Sequence, residues 1–347
     1  MCERSAYSFA ERNRCMFDLR LSIVIPTRNH LPLLKRLLDS IAAQSLPSSA
    51  YEIIVVDDGS TDGTEAFLSE EGRASSLCYV KVHRQGPPRA RNTGIERARA
   101  PIVACLDDDV RLREDCFERA LPYFDDPAVG VVEATLLIEG EGRPLQLYAS
   151  DQGFVTAAIF FRKNALENVG GFDPEFFDPD TGLFFRDDAD IGFRILEAGY
   201  NALQPLDVVA WHPVQFATIE RSFSHVKRYM FDPLLYRKHP ELFRRYIERK
   251  RVGPFSFARP MHYGCLAFAS SLGAAAGFAL AEKTFGVVAS MIVALMSYLV
   301  VRYKFEGWSA LKVWSVRESV AYAVLPFWYL RWFFRGLRRF GGWKSLF

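Results

Sequence analysis

Three consecutive acids, Asp107, Asp108 and Asp109, close the apolar run Ile102 to Leu106. A short apolar run of this kind reads as a buried strand. Acids at its end then belong at the lip of a sheet, where α/β folds bind ligands. Neighbouring carboxylates repel one another. A divalent cation relieves that repulsion, and oxygen donors suit Mg²⁺ or Mn²⁺, leaving positions open for phosphate oxygens. For the triplet alone, a solvated acidic turn is the plain alternative. A second acidic stretch, Asp187-Asp188-Ala-Asp190, opens a predicted helix. A carboxylate whose pKa is raised by burial or neighbouring acids can take the proton of an acceptor hydroxyl. Acids in a first helical turn also favour the helix dipole, so base and cap compete for Asp187, Asp188 and Asp190.

The elements that must hold these acids alternate along the chain. Leu21 to Ile25 is a strand stopped by Pro26, followed by the loop Thr27 to His30 and a helix with Leu33, Leu34, Leu37, Leu38 and Ile41 on one face. Tyr51 to Val56 is the second strand, ending in Asp57-Asp-Gly-Ser-Thr-Asp62 ahead of a helix from Glu65. Leu77 to Val82 is the third strand, and Ala90 to Ala100 an Arg-rich helix leading into Ile102. The alternation predicts a mostly parallel sheet. Residues 129–147 and Phe154 to Phe161 read as further strands, and His212 follows a short one. Neither Gly-x-Gly-x-x-Gly nor Gly-x-x-x-x-Gly-Lys occurs, so a bound phosphate would rely on a metal and arginines. Arg89 and Arg91 suit either diphosphate contact or an exposed helical face, while Cys105 and Trp211 read as core.

Charge divides the chain. Residues 244–347 hold 16 Lys/Arg and 4 Asp/Glu, a net of +12 within a whole-chain net of +2. An acidic front and a basic, apolar back predict a soluble domain joined to a membrane-facing one. The basic residues flank apolar runs, so nucleic acid is not an expected partner. Six cysteines without Cys-x-x-Cys spacing argue against a zinc site or disulfide framework and fit a reducing compartment. The polar first twenty residues read as a flexible lead-in without a signal peptide.

Six stretches, in order, resemble the family-2 glycosyltransferases of GT-A fold: Pro26-Thr-Arg-Asn29, Val56-Asp-Asp-Gly-Ser-Thr-Asp62, Ala90-Arg-Asn-Thr-Gly94, Leu106-Asp-Asp-Asp109, Gly170-Gly-Phe-Asp173 and Asp187-Asp-Ala-Asp-Ile-Gly-Phe-Arg194. The resemblance implies an α/β GT-A domain over residues 21–218. It implies a nucleotide-diphospho-sugar donor whose base and ribose are held at Thr27 and Asp58. Asp107 and Asp109 match the ends of the Asp-x-Asp motif for Mn²⁺ or Mg²⁺ and the diphosphate, with Asp108 able to take part. Asp188 matches the general base of inverting members. Asp187 stands where the family usually has Glu. His212 falls where some relatives supply a metal ligand; a structural histidine is the alternative.

Beyond His212 the pattern changes. Residues 219–259 read as an amphipathic connecting segment or a solvated helix pair. Residues 260–281 and 284–301 lack any Asp, Glu, Lys or Arg, which predicts a transmembrane hairpin over 260–303, with buried helices of a soluble domain as the alternative. Arg249, Lys250, Arg251, Arg302 and Lys304 flank it, which predicts cytoplasmic outer ends and a catalytic domain on the cytoplasmic face of the membrane. Ser319 to Leu330, with Pro326, reads as a short interfacial or re-entrant segment in an aromatic and basic tail over 304–347, with a third span as the alternative. The expected activity is metal-dependent, inverting sugar transfer to a lipid-linked or cell-envelope glycan acceptor; a catalytically silent nucleotide-sugar-binding or membrane scaffold protein is the rival.

Overall fold

The computed structural model describes residues 19–74, 77–140, 154, 156–213, 218–247, 249–252, 255–306 and 315–346. Their contacts divide them into two units. The first takes the described residues before Leu145 with Phe154–Gly182 and Asp187–Val214; the second takes Leu183–Arg186 and the described residues after Gln215.

Among the described residues twelve strands precede residue 213: β1 (Leu21–Thr27), β2 (Tyr51–Asp57), β3 (Leu77–Lys81), β4 (Ile102–Leu106), β5 (Arg111–Leu112), β6 (Val129–Glu133), β7 (Thr135–Ile138), β8 (Ala158–Arg162), β9 (Phe177–Asp178), β10 (Leu183–Phe184), β11 (Asn201–Leu203) and β12 (Val209–His212). Seven of them form the central sheet of the first unit, in the order β11-β6-β8-β4-β1-β2-β3. β1 runs parallel to β2 and β4, β2 to β3, and β11 to β6; β8 alone runs antiparallel to its neighbours. Ile23, Val24 and Ile25 of β1 and Val103, Ala104 and Cys105 of β4 are fully buried, as continuous apolar runs are when helices cover both faces of a sheet. β5, β12 and β7 make a second, small sheet.

The helices of this unit are α1 (Leu31–Ala42), α2 (Thr64–Ala74), α3 (Pro87–Ile95), α4 (Cys116–Ala120), α5 (Lys163–Val169) and α6 (Asp187–Glu197). α1 buries Leu34, Leu37 and Ile41, the face its spacing predicts. One carboxylate serves two helix starts: Asp62 accepts the Leu31 amide at 2.9 Å and the Thr64 amide at 3.2 Å. Several expected bounds shift: β1 runs through Pro26 to Thr27, and α3 ends at Ile95 rather than Ala100. α3 opens at Pro87, because prolines suit first-turn positions whose N–H groups have no helical partner. β8 begins at Ala158, since Phe154 adopts φ 47° outside any strand and gives its N–H to Glu133 at 3.0 Å.

The second unit holds α7 (Ile219–Lys227), α8 (Asp232–Lys238), α9 (Pro240–Tyr246), a hairpin of β13 (Arg249–Val252) and β14 (Phe255–Ala258), α10 (Pro260–Leu280), α11 (Thr284–Glu306) and α12 (Val316–Phe340). Met261–Leu280 and Thr284–Val301 are long and apolar enough to cross a membrane, and only 28% of each is buried within the protein. Leu280, Phe285 and Met296 stand exposed. A buried cluster, including Tyr229, Cys265, Tyr298, Tyr329 and Phe333, joins these helices to α12. The short segment expected at Ser319 to Leu330 is instead the middle of the 25-residue α12, which runs through Pro326 behind a capping box of Ser315 and Glu318. Arg186 belongs to this unit. It holds φ 71°, donates from Nε to Asp232 Oδ1 at 2.8 Å and stacks on Phe185.

Candidate active site

Parallel pairing brings the acids to one edge. Thr27 lies level with Asp57, and Val24 with Cys105, so the C-terminal ends of β1, β2 and β4 finish together. Thr27 Oγ1 there donates to Asp108 Oδ2 at 2.6 Å, and His30 Nδ1 stands 3.0 Å from Asp108 Oδ1. That hydrogen bond, helped by the charge of Asp108 against the effect of burial, raises the His30 imidazole pKa. His30 is the residue that sequence reasoning left as loop; only its position directly after Thr27-Arg-Asn marks it.

Asp58 is buried and accepts the backbone N–H groups of Gln85 at 2.7 Å and Gly86 at 2.9 Å. It thus fastens the end of β2 to the loop that feeds α3. Gly86 is required there: its φ is 82°, and a Cβ would meet the Phe177 ring at 2.5 Å.

The turn after Asp109 enters β5, and β5 pairs antiparallel with β12 through Leu112 with Ala210 and Arg111 with Trp211. The pairing carries His212 back toward the triplet, with Nε2 3.7 Å from Asp109 Oδ2. His212 Nδ1 faces the Pro213 carbonyl at 3.0 Å. A carbonyl can only accept, so in the neutral ring the proton sits on Nδ1 and Nε2 carries the lone pair. Asp109 Oδ1 is buried with no hydrogen-bond partner among the described residues. Burial and the carboxylate of Asp107 push the Asp109 carboxyl up, opposed by His212; a cation beside it would reverse that push. An imidazole nitrogen and an unpartnered carboxylate oxygen fit Mn²⁺ or Mg²⁺. Among the described residues no three His, Cys, Asp or Glu side chains are gathered tightly enough to hold an ion by themselves.

Asp107 faces elsewhere. Arg91, on α3, is 3% exposed, so the exposed-face alternative does not describe it. Its Nη2 donates to Asp107 Oδ1 at 2.7 Å and its Nη1 to Asp187 Oδ2 at 2.9 Å. Burial, with smaller contributions from Asp107 and Asp190, raises the Asp187 carboxyl pKa against the pull of Arg91. Asp190 is paired with Arg194, which bonds it from both Nε and Nη2. Asp188 alone of the three first-turn acids is only half-buried, and its Oδ1 accepts the Ala189 amide at 2.7 Å. The first-turn acids of α6 therefore divide into two that are buried and salt-bridged and one that is half-buried. Cys105 is core, its thiol pushed up to about 12 by burial. Trp211 is half-buried, with the Arg111 guanidinium 4.0 Å over its ring.

A family model described as Glycosyl transferase family 2 matches residues 22–191. The pre-mycofactocin glycosyltransferase of Mycobacterium tuberculosis (strain H37Rv) is 30% identical over 215 residues, which are 55% of this chain and 42% of that protein. The match therefore spans less than half of that relative. Glycosyltransferase AglE of Haloferax volcanii is 28% identical over 211 residues, 56% of this chain and 67% of its own. Among solved structures, the mannosyltransferase PcManGT from Pyrobaculum calidifontis, in complex with GDP-Man and Mn²⁺, superposes with a TM-score of 0.58 at 23% identity, covering 89% of this chain and 87% of its own. S. aureus TarS 1–349 in complex with UDP gives 0.50 at 15% identity, covering 90% and 92%. The fold is α/β of GT-A type.

Proposed function

The chain carries a glycosyl transferase family 2 domain at residues 22–191, and from that premise we propose that it moves a sugar from a nucleotide-diphospho-sugar to an acceptor, with inversion, under dependence on a divalent metal. The observation that carries the proposal is the meeting of Thr27, Asp108, Asp107, Arg91, Asp187, Asp109 and His212 in linked contacts at one end of parallel strands. The named ligands of the two structural neighbours, GDP-Man and UDP, support a nucleotide-sugar donor.

In this proposal Asp107, Asp109 and His212 are the protein donors for Mn²⁺ or Mg²⁺, and they would gather on the ion only when it binds together with the donor diphosphate. The bound ion supplies charge stabilisation to the departing diphosphate. Thr27 and Asp58 border the nucleoside. Asp188, the half-buried acid in the first turn of α6, takes the proton of the acceptor hydroxyl. Asp187 is too enclosed by Arg91 to do so. The exposed apolar surfaces of α10 and α11 support membrane attachment, and the basic flanks of the hairpin support a cytoplasmic catalytic domain. A membrane-bound enzyme there would meet a lipid-linked or cell-envelope glycan acceptor.

The test is nucleoside-diphosphate release from a panel of sugar nucleotides, with membranes as acceptor source, run with Mn²⁺, with chelator and with Asp188→Asn. Release from one donor that stops in chelator and collapses in the variant is expected. Metal-dependent release that survives Asp188→Asn moves the base elsewhere. Donor binding without release from any donor favours the silent binding protein.

A further inference from the structure

We infer that Arg91 is a positioning residue rather than a contact for the donor phosphates: it ties Asp107 on β4 to Asp187 in the first turn of α6 and so fixes where Asp188 stands, an inference that rests on the transfer reading above and deepens it. Both terminal nitrogens of Arg91 are already committed to carboxylates, at 2.7 and 2.9 Å. Its Nε is buried without an acceptor among the described residues, so only the second N–H of each terminal nitrogen is left over. One cation between two anions leaves the trio at a net charge of −1, so an incoming diphosphate gains nothing from a guanidinium it would have to strip of its partners. The exposure of the two acids is unequal. The Asp187 side chain is 5% exposed and sealed, whereas that of Asp107 is 35% exposed and faces outward. The guanidinium thus joins an acid that can meet a ligand to one that cannot.

The mount is rigid. Gly94 brings α3 so close to β1 that a Cβ would stand 2.3 Å from Val24 Cγ1. On the next residue along from Arg91, Asn92 donates to the Phe172 carbonyl and accepts the Phe172 amide, each at 2.7 Å. The Phe172 ring lies 5.4 Å from the guanidinium carbon. Helix, sheet and loop therefore fix the Arg91 backbone, and the planar fork transmits that position to two acids at once. A lysine ammonium is a point charge without that planar fork.

The test is a double-mutant cycle in the full-length protein with Arg91→Lys and Asp187→Asn, using the donor that wild type turns over and recording kcat, donor KM and the unfolding midpoint. Displacement of a catalytic group by about 1 Å costs about 100-fold. Each single variant is accordingly expected to lose about that factor in kcat with donor KM nearly unchanged, and the double variant to be no slower than the worse single, because both break one unit. A donor KM raised by Arg91→Lys, adding to the effect of Asp187→Asn, would return Arg91 to the diphosphate and overturn the inference. Coupling in the unfolding midpoint with kcat untouched would make the bridge merely structural, which also overturns it. A wild type that releases no nucleoside diphosphate from any donor sinks the transfer reading itself, and this inference with it; a working wild type with an additive cycle sinks the bridge alone.

Discussion

The two units treat solvent in opposite ways. The first hides charge: Arg91, Asp187, Asp190 and Asp58 are all buried, and each is matched by an ion pair or backbone N–H groups. The second leaves hydrocarbon outside: Leu280, Phe285, Ile292 and Met296 are each more than half exposed. Buried charge is tolerable only with partners, and that requirement is what makes the acids of the first unit so exactingly arranged. Exposed apolar surface on this scale is unfavourable in water and costs nothing in lipid. One unit is therefore organised by electrostatic pairing and the other by the solvent it expects.

The comparison can be sharpened by perturbing each side in its own terms. The largest effect is expected at Asp188, where Asn should lower transfer by about 10²–10⁴-fold, the usual share of a general base, with the unfolding midpoint little changed because the side chain is only half-buried and Asn keeps its size; release assays and thermal denaturation read the two. On the other side, Ile292→Lys places a charge midway along α11. If α11 spans a bilayer the cost is about 2.5–3.5 kcal/mol, seen as poor recovery in washed membranes. If the helix faces water, the change stays within about 0.5 kcal/mol and the protein is recovered without detergent, which would erase the contrast. Next is Gly94→Ala, whose methyl meets Val24 in a packed layer; overpacking of this kind costs about 1–3 kcal/mol in denaturant unfolding. The smallest is Asp62→Ala, which removes the shared helix-start acceptor of Leu31 and Thr64 and should cost about 1 kcal/mol.

The first four strands were legible because a sheet covered on both faces demands continuous apolar runs; their order in the sheet was not, and β1 runs on through Pro26 to Thr27. The division of labour among the acids was not legible. Asp107, Asp108 and Asp109 are neighbours of one type, yet their partners are Arg91, Thr27 with His30, and His212, brought in by register and by the pairing of β5 with β12. Sequence spacing carries no trace of such pairings. Asp187 and Asp188 divide for the same reason: a helix turns about 100° per residue, so adjacent side chains leave in different directions. Pro326 misled in the opposite sense. A proline inside a helical pattern normally marks a break, yet Leu325, Pro326 and Tyr329 are buried together and α12 continues past them.

The pairing of Arg186 with Asp232 bears on how the chain can be shortened. Leu183–Arg186 is flanked on both sides by the first unit but packs with the second, so no single cut separates the two cleanly. A fragment ending at Val214 would keep Arg186 at its φ of 71° and discard Asp232, losing the bond from Nε to Asp232 Oδ1. A non-glycine residue in that backbone region carries strain of about 1–3 kcal/mol, which the fragment bears without the Asp232 contact that offsets it. Arg186→Gly should therefore stabilise the fragment while destabilising the full-length chain. Opposite signs of the change in melting temperature for one substitution in two chain lengths would mark this four-residue loop as the point where a soluble fragment must be repaired.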